Sequence, residues 1–295
     1  MKQSLIGKNI VITGASSGIG KTTALTLAQQ GANLILAARR ELELEDVALA
    51  CQKFGTQAYY YKTDVTELDQ VNNLFEFALE KLGSIDIWVN NAGVGAVGEF
   101  IKTPMASHEQ VIKTNLIGYM HGAYVTLPYF KDQGEGTLIN NISLGAFVPT
   151  PFASAYAASK FGLKGFTEAI RAELYDQKGI HICDVFPAFI DTPGFDHGAN
   201  YIGKKLKPIP PVYDAQKVAD AVLALCIHPK DKIMVGASGK VAKVVHAVTP
   251  KLLGMVMTKF MQTYFKGAAI EDKTDGNLFK TGWRNLHPLR LFTKH

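Results

Sequence analysis

No uninterrupted apolar run in these 295 residues approaches the ~18–20 needed for a membrane-crossing helix. Cysteine is scarce: Cys51, Cys183 and Cys226 are odd in number, far apart and set in apolar stretches. They read as buried free thiols in a reducing compartment, not as a disulfide framework. None of the eight histidines forms a metal-spaced set; His246, His287 and His295 read as surface or helix residues, and no metal is expected. The opening Met1-Lys-Gln-Ser-Leu-Ile-Gly has no leader-like apolar segment, so the expected location is cytoplasmic. Most of the chain also lacks a charge surplus. Residues 1–248 hold 23 Lys/Arg and 23 Asp/Glu; residues 249–295 hold eight and three, the whole net charge of +5. Nucleic-acid binding by the body is therefore not expected.

What the chain does have is alternation. Val/Ile/Leu-rich segments at 8–13, 33–38, 57–62, 85–90, 137–143, 181–186 and 232–236 are separated by amphipathic stretches such as 71–82, 107–129, 152–178 and 214–227. That order predicts an α/β fold: a Rossmann-type doubly wound parallel sheet of about seven strands, covered by helices on both faces. One domain over 1–240 and a basic, amphipathic helical extension over 241–295 account for the length.

In such a sheet, ligands gather at the carboxyl ends of the strands, and the chemistry-bearing residues fall there. Gly14-Ala-Ser-Ser-Gly18-Ile-Gly20 follows the first strand and opens a helix. A glycine-rich turn at a helix N-terminus admits a dinucleotide pyrophosphate, although the spacing is Gly-x-x-x-Gly-x-Gly and not the commoner fingerprint. Tyr156-Ala-Ala-Ser-Lys160 stacks a phenol and an ammonium on one helix face, where the cation is expected to favour the phenolate and ready the tyrosine for proton transfer. Tyr201/Lys205 and Tyr213/Lys217 repeat the spacing. Only Tyr156 follows a strand ending in a serine, Ser143.

These features jointly resemble the short-chain dehydrogenase/reductase family over roughly the first 240 residues. The residues carrying the likeness are Thr13-Gly14-x-x-x-Gly18-x-Gly20, Asp64, Asn90-Asn91-Ala92-Gly93, Asn115, Ser143, Tyr156-x-x-x-Lys160 and Pro187-x-x-x-x-Thr192. Ala188 departs from the glycine usual after that proline. The resemblance implies strand order 3-2-1-4-5-6-7, a nicotinamide cofactor and a homo-dimer or homo-tetramer. It also implies a catalytic tetrad. Tyr156 is then the general acid or base, Ser143 holds the substrate oxygen, Lys160 tunes Tyr156 and holds the nicotinamide ribose, and Asn115 fixes a relay water.

Other cofactor contacts follow from the same likeness: Ile19 in the turn, Asp64 and Val65 at the adenine, Asn91, Ala92 and Gly93 at the adenine ribose, and Pro187, Ile190 and Thr192 at the nicotinamide amide. The hydroxyls of Ser16 and Ser17 are placed to meet a phosphate on the ribose 2′ position. Strand two ends Leu36-Ala-Ala-Arg39-Arg40 with no carboxylate to take a ribose 2′-hydroxyl. A guanidinium suits a 2′-phosphate, so the expected cofactor is NADP(H), with Arg39 ahead of Arg40 because it directly follows Ala38. Phe147 and Phe189, with 94–97, Ile190 and Phe195, are expected to wall a pocket for an apolar ketone or secondary alcohol. NAD-dependent alcohol oxidation, or a nucleotide-sensing scaffold recruited through the basic tail, are the other readings.

In the tail, Thr249-Pro250 marks a helix start with a capping hydroxyl. Leu252, Val256, Phe260 and Tyr264 recur every four residues beside Leu253, Met257 and Met261. The stripe is expected to pack on protein (core, partner subunit or cleft), ahead of the second reading, a membrane-surface helix made basic by Lys251, Lys259 and Lys266. Trp283, Leu286, Leu289, Leu291 and Phe292 suggest intermittent docking of the last segment.

Overall fold

The computed structural model describes residues 4–208, 210–236 and 248–280, apart from the side chains of Phe195 and Asp196. The domain boundary at 240/241, the pocket role of Phe195, the docking of Trp283 to Phe292, and His246, His287 and His295 lie outside these residues.

Seven strands form one parallel sheet: β1 (Asn9–Thr13), β2 (Asn33–Ala38), β3 (Ala58–Lys62), β4 (Ile87–Asn90), β5 (Gly136–Asn141), β6 (Ile180–Pro187) and β7 (Lys232–Val235). Their order is β3-β2-β1-β4-β5-β6-β7, as the resemblance implied, and every pairing is parallel. β1 shows why both faces need cover. Ile10 and Ile12 point into one apolar layer and Val11 into the other, and all are fully buried.

Helices α1 (Gly18–Gln29), α2 (Glu41–Gln52) and α7 (Ala215–Ile227) fill the first layer with Leu27, Leu44, Val218 and Val222. Helices α3 (Leu68–Leu82), α5 (Gly118–Gln133) and α6 (Ser154–Glu173) fill the second with Leu74, Phe130 and Ile170. The crossover expected as one helix over 107–129 has three parts: α4 (Met105–Ile112), a π-turn over Lys113–Ile117, and α5. Single π-turns of this kind concentrate at functional sites. Of the thiols, Cys51 and Cys183 are buried and Cys226 is half-buried, a partial departure from the expectation.

The tail helix α8 (Pro250–Gly267) starts at Pro250, and no hydroxyl cap comes from Thr249. Its inner face packs on the body. Phe265 meets Phe152 edge-on at 5.2 Å, and Leu253 joins the cluster of Phe147 and Phe186. The Tyr264 hydroxyl accepts from the Lys207 amide at 2.7 Å. The expected burial of the stripe holds for that face alone, because Leu252, Val256 and Phe260 point outward. Beyond α8, residues 268–280 form a strap over the loop after β6. Asn200 and Thr274 exchange backbone hydrogen bonds at 2.8 and 2.9 Å, and Leu278 is fully buried. Among the described residues, no helix is long and apolar enough to cross a membrane.

Candidate active site

The chain leaves β1 through Gly14 and Gly18, both at positive φ (+67° and +53°), which only glycine adopts without strain. A methyl on Gly14 would lie 2.7 Å from Ala92 Cα, and one on Gly20 would collide with the Gly14 carbonyl. The turn is thus pressed onto the loop after β4. Asn91 locks it there. Its Nδ2 donates to the carbonyls of Thr13 (3.1 Å) and Gly14 (3.2 Å), and its Oδ1 accepts from Asn141 Nδ2 at 2.8 Å. The ends of β1, β4 and β5 are joined in this way. The Asn91 amide therefore joins the strand ends, and Asn91, Ala92 and Gly93 together line the cavity where the ribose contact is expected. Ser16, Ser17, Gly18, Ile19 and Gly20 also line the cavity, and no side chain caps the N-terminus of α1.

At the end of β2 the two arginines part. Arg40 donates to Ser16 Oγ (3.0 Å) and Ser17 Oγ (2.7 Å), so this guanidinium sits on the glycine turn. Arg39 instead reaches the strap, donating to the carbonyls of Leu278 (3.0 Å) and Asn277, and stands 3.9 Å from Asp64. Both guanidinium groups line the cavity: Arg39, the one expected from its place after Ala38, and Arg40, which holds the serines. Asp64 binds the Thr66 amide (3.0 Å) and hydroxyl (2.9 Å) through one oxygen, the turn-stabilising role common for aspartate, with Val65 buried next to it.

The reactive end is built on β5, α6 and the π-turn. Ser143 follows β5 at φ 152°, ψ 158°, a region nearly reserved for glycine, and its Oγ accepts from the Gly145 amide at 3.0 Å. Tyr156 and Lys160, one turn apart on α6, both line the same cavity; Lys160 Nζ lies 5.6 Å from the Tyr156 ring and 5.2 Å from that of Tyr119. The Asn141 carbonyl gathers the group, accepting from Lys160 Nζ (3.4 Å) and Tyr119 Oη (2.9 Å).

Here the electrostatics differ from the expectation. Burial pushes Lys160 down to about 7, and burial pushes Tyr156 up, only partly offset by its hydrogen bond with Ser143. Desolvation is the larger influence on both groups, and it favours Tyr156 as the neutral phenol. Tyr213/Lys217 has the same contact at 5.0 Å, yet neither it nor Tyr201 lines the cavity. Tyr201 instead bonds Ser107 and Asp275, both at 2.6 Å.

Asn115 sits in the π-turn, wholly buried. Its side chain clamps Val94, accepting from the amide at 2.8 Å and donating to the carbonyl at 2.9 Å, with Ser159 Oγ at 3.3 Å. A side chain so engaged positions the Val94 wall.

Cofactor and reactive ends open onto one cavity of about 600 Å³. Pro187, Phe189, Ile190 and Thr192 border it, as do residues 94–97. Phe147 does not. It packs at 4.7 Å, ring tilted, against Phe186 in the core, because the short 3-10 turn after Ser143 directs it inward and leaves Val148 at the cavity. Leu206, Pro211, Met257 and Asn277 complete the wall and were not anticipated. Met257 was visible as part of the tail stripe; Asn277 had no local signal. Ala188, the departure from the usual glycine, pairs its amide with Val235 at 2.9 Å and lines the cavity without disturbing β6.

Residues 8–199 match the sequence model of the family described as short chain dehydrogenase. The chain is 35% identical to the uncharacterized oxidoreductase YxnA of Bacillus subtilis over 255 residues, which covers 85% of this chain and 72% of that one. Among solved structures, a short-chain type dehydrogenase/reductase from Mycobacterium marinum superposes with TM-score 0.71 at 28% identity, covering 80% of this chain and 96% of the other. A metagenomic short-chain oxidoreductase in complex with NADP gives 0.67 at 27% identity, covering 79% and 97%. An alcohol dehydrogenase from the archaeon Thermococcus sibiricus, complexed with 5-hydroxy-NADP, gives 0.68 at 25%, covering 77% and 95%. With its glycine turn, tyrosine, lysine and serine arranged around one cleft of a seven-stranded parallel sheet, this chain belongs to the short-chain dehydrogenase family.

Proposed function

We infer that the chain is an NADP(H)-dependent oxidoreductase acting on apolar ketones and the corresponding secondary alcohols, with Tyr156 as general acid and base. The observation that carries this reading is the opening of the glycine turn, Ser143, Tyr156 and Lys160 onto one cavity. A neutral, buried Tyr156 suits the acid role in carbonyl reduction. Its Oη gives a proton to the substrate oxygen while Ser143 Oγ holds that oxygen and steadies the charge growing on it. In the reverse direction the same phenol, deprotonated, is the base. Lys160 Nζ, already bound to the Asn141 carbonyl, is placed to hold a ribose hydroxyl. When bound, the nicotinamide supplies or accepts the hydride.

The cleft fits a dinucleotide. The glycine turn is fixed in place by Asn91, the α1 N-terminus carries no side-chain cap, and no carboxylate stands at the end of β2. Arg40 with Ser16 and Ser17, and Arg39 beside Asp64, offer two guanidinium groups to a 2′-phosphate. The NADP and 5-hydroxy-NADP complexes of two structural neighbours support the same choice.

Tyr156→Phe is the test. NADPH consumption across a panel of apolar ketones should fall about 10²–10⁴-fold while NADPH binding by fluorescence is kept. Unchanged turnover would remove Tyr156 from the chemistry. A parallel Arg40→Ala variant should raise KM for NADPH far more than for NADH; equal effects would overturn the cofactor assignment.

A further inference from the structure

The outer face of α8 is left exposed among the described residues. Leu252, Met255, Val256 and Phe260 are 51–59% exposed, a contiguous apolar strip on a helix that is otherwise docked. Lys251, Lys259 and Lys266 lie on the same exposed side, and no carboxylate occurs between Val248 and Ile270. A strip of large apolar groups interleaved with lysines and free of acids has the chemistry of a surface lying in the plane of an anionic bilayer. The apolar side chains enter the acyl boundary, and the lysine stems lie along it with their ammonium groups among lipid phosphates. The charge complements that partner, since the whole surplus of +5 is carried beyond residue 248 while the body is balanced.

A second copy fits less well. Two such faces meeting about a twofold axis would bring like lysines together with no carboxylate between them. At 18 residues and with three lysines, α8 does not span.

We propose that α8 docks this protein onto an anionic membrane surface through Leu252, Met255, Val256 and Phe260, steered by Lys251, Lys259 and Lys266. The opposite face of the same helix carries Met257 into the wall of the catalytic cavity. Docking therefore places the apolar cavity next to the lipid, and the substrate class becomes a carbonyl or alcohol dissolved in the bilayer. That second step rests on the proposed hydride transfer; docking does not.

The experiment is flotation of the full chain with phosphatidylcholine vesicles, with and without phosphatidylglycerol. Recovery with the anionic vesicles, and its loss in high salt, is expected. Lys251→Gln, Lys259→Gln and Lys266→Gln together should weaken partitioning about 100-fold, on the scale of roughly 1 kcal/mol per cation near such a surface. Leu252→Glu with Val256→Glu should abolish it with the melting temperature unchanged, because both side chains are exposed. Equal recovery on neutral and anionic vesicles, or variants that float like the parent, would overturn docking. So would a concentration-dependent dimer that the same substitutions dissolve, which would assign the face to a second copy. Turnover is read separately, with one ketone in water and one in the vesicle. Loss on the vesicle ketone alone, in the Leu252→Glu/Val256→Glu variant, supports delivery from lipid; no loss overturns it. Failure to turn over either ketone would count against the hydride chemistry and leave the flotation result standing.

Discussion

Lys160 is held in the fold against its own charge. Burial lowers it from 10.5 to about 7, so between those values the unfolded chain binds a proton that the folded chain does not. The sign follows: stability contributed through this site is lowest below about pH 7 and rises as pH climbs toward 10.5. Lys160→Met should therefore flatten the rise and be more stable than the parent by a few kcal/mol near pH 7, with the gap closing by about pH 10. Urea melts of both proteins across that range read it directly; parallel curves would show that Lys160 is not desolvated. Tyr156 and Lys160 were legible because their juxtaposition is local, one helical turn. The direction of their titration was not, because desolvation is set by Tyr119, Asn141 and the surrounding layer, which come from distant segments. The added part of Arg40 was hidden for the same reason: two adjacent side chains at a strand end leave on opposite sides, and what each meets depends on residues 16, 17, 277 and 278.

Elements were readable where periodicity was long. All seven strands lie within two residues of their expected ends, because apolar runs bounded by turns leave little freedom. The π-turn at Lys113–Ile117 was hidden, since one extra residue in a helix barely disturbs a 3.6-residue pattern; it is nevertheless what seats Asn115 against Val94. The strap had no periodicity at all. Its hold is Leu278, buried among Val94, Ala96, Val111 and Ala199, with Tyr201–Asp275 and the Asn277–His197 backbone bond as polar ties. Leu278→Ala removes the apolar anchor, a change of about 2–5 kcal/mol for a buried leucine. The loss should be felt as local opening: limited proteolysis near Lys273 becomes fast while the main melting transition moves little. If instead the strap stays protease-resistant and the whole protein melts several degrees lower, it is integral to the cooperative core.

At the scale of the molecule, the parallel sheet places every strand's carboxyl end on one edge, so residues as far apart as Gly14, Ser143 and Thr192 share one cleft without individual design. That edge is also where stability and ligand binding are linked. A cofactor that binds only the folded chain adds RT ln(1 + [L]/Kd), about 2.7 kcal/mol at a hundredfold excess over Kd. For a domain of this size each kcal/mol corresponds to about 2 °C, so saturating NADPH should raise Tm by about 5 °C. NADH at the same concentration should do much less, because Arg39 and Arg40 then face no 2′-phosphate. Arg39→Ala with Arg40→Ala should bring the two shifts together by lowering that of NADPH. Equal shifts in the parent protein would mean that the guanidinium pair serves the strap and the glycine turn alone, and that the cleft does not discriminate at the ribose.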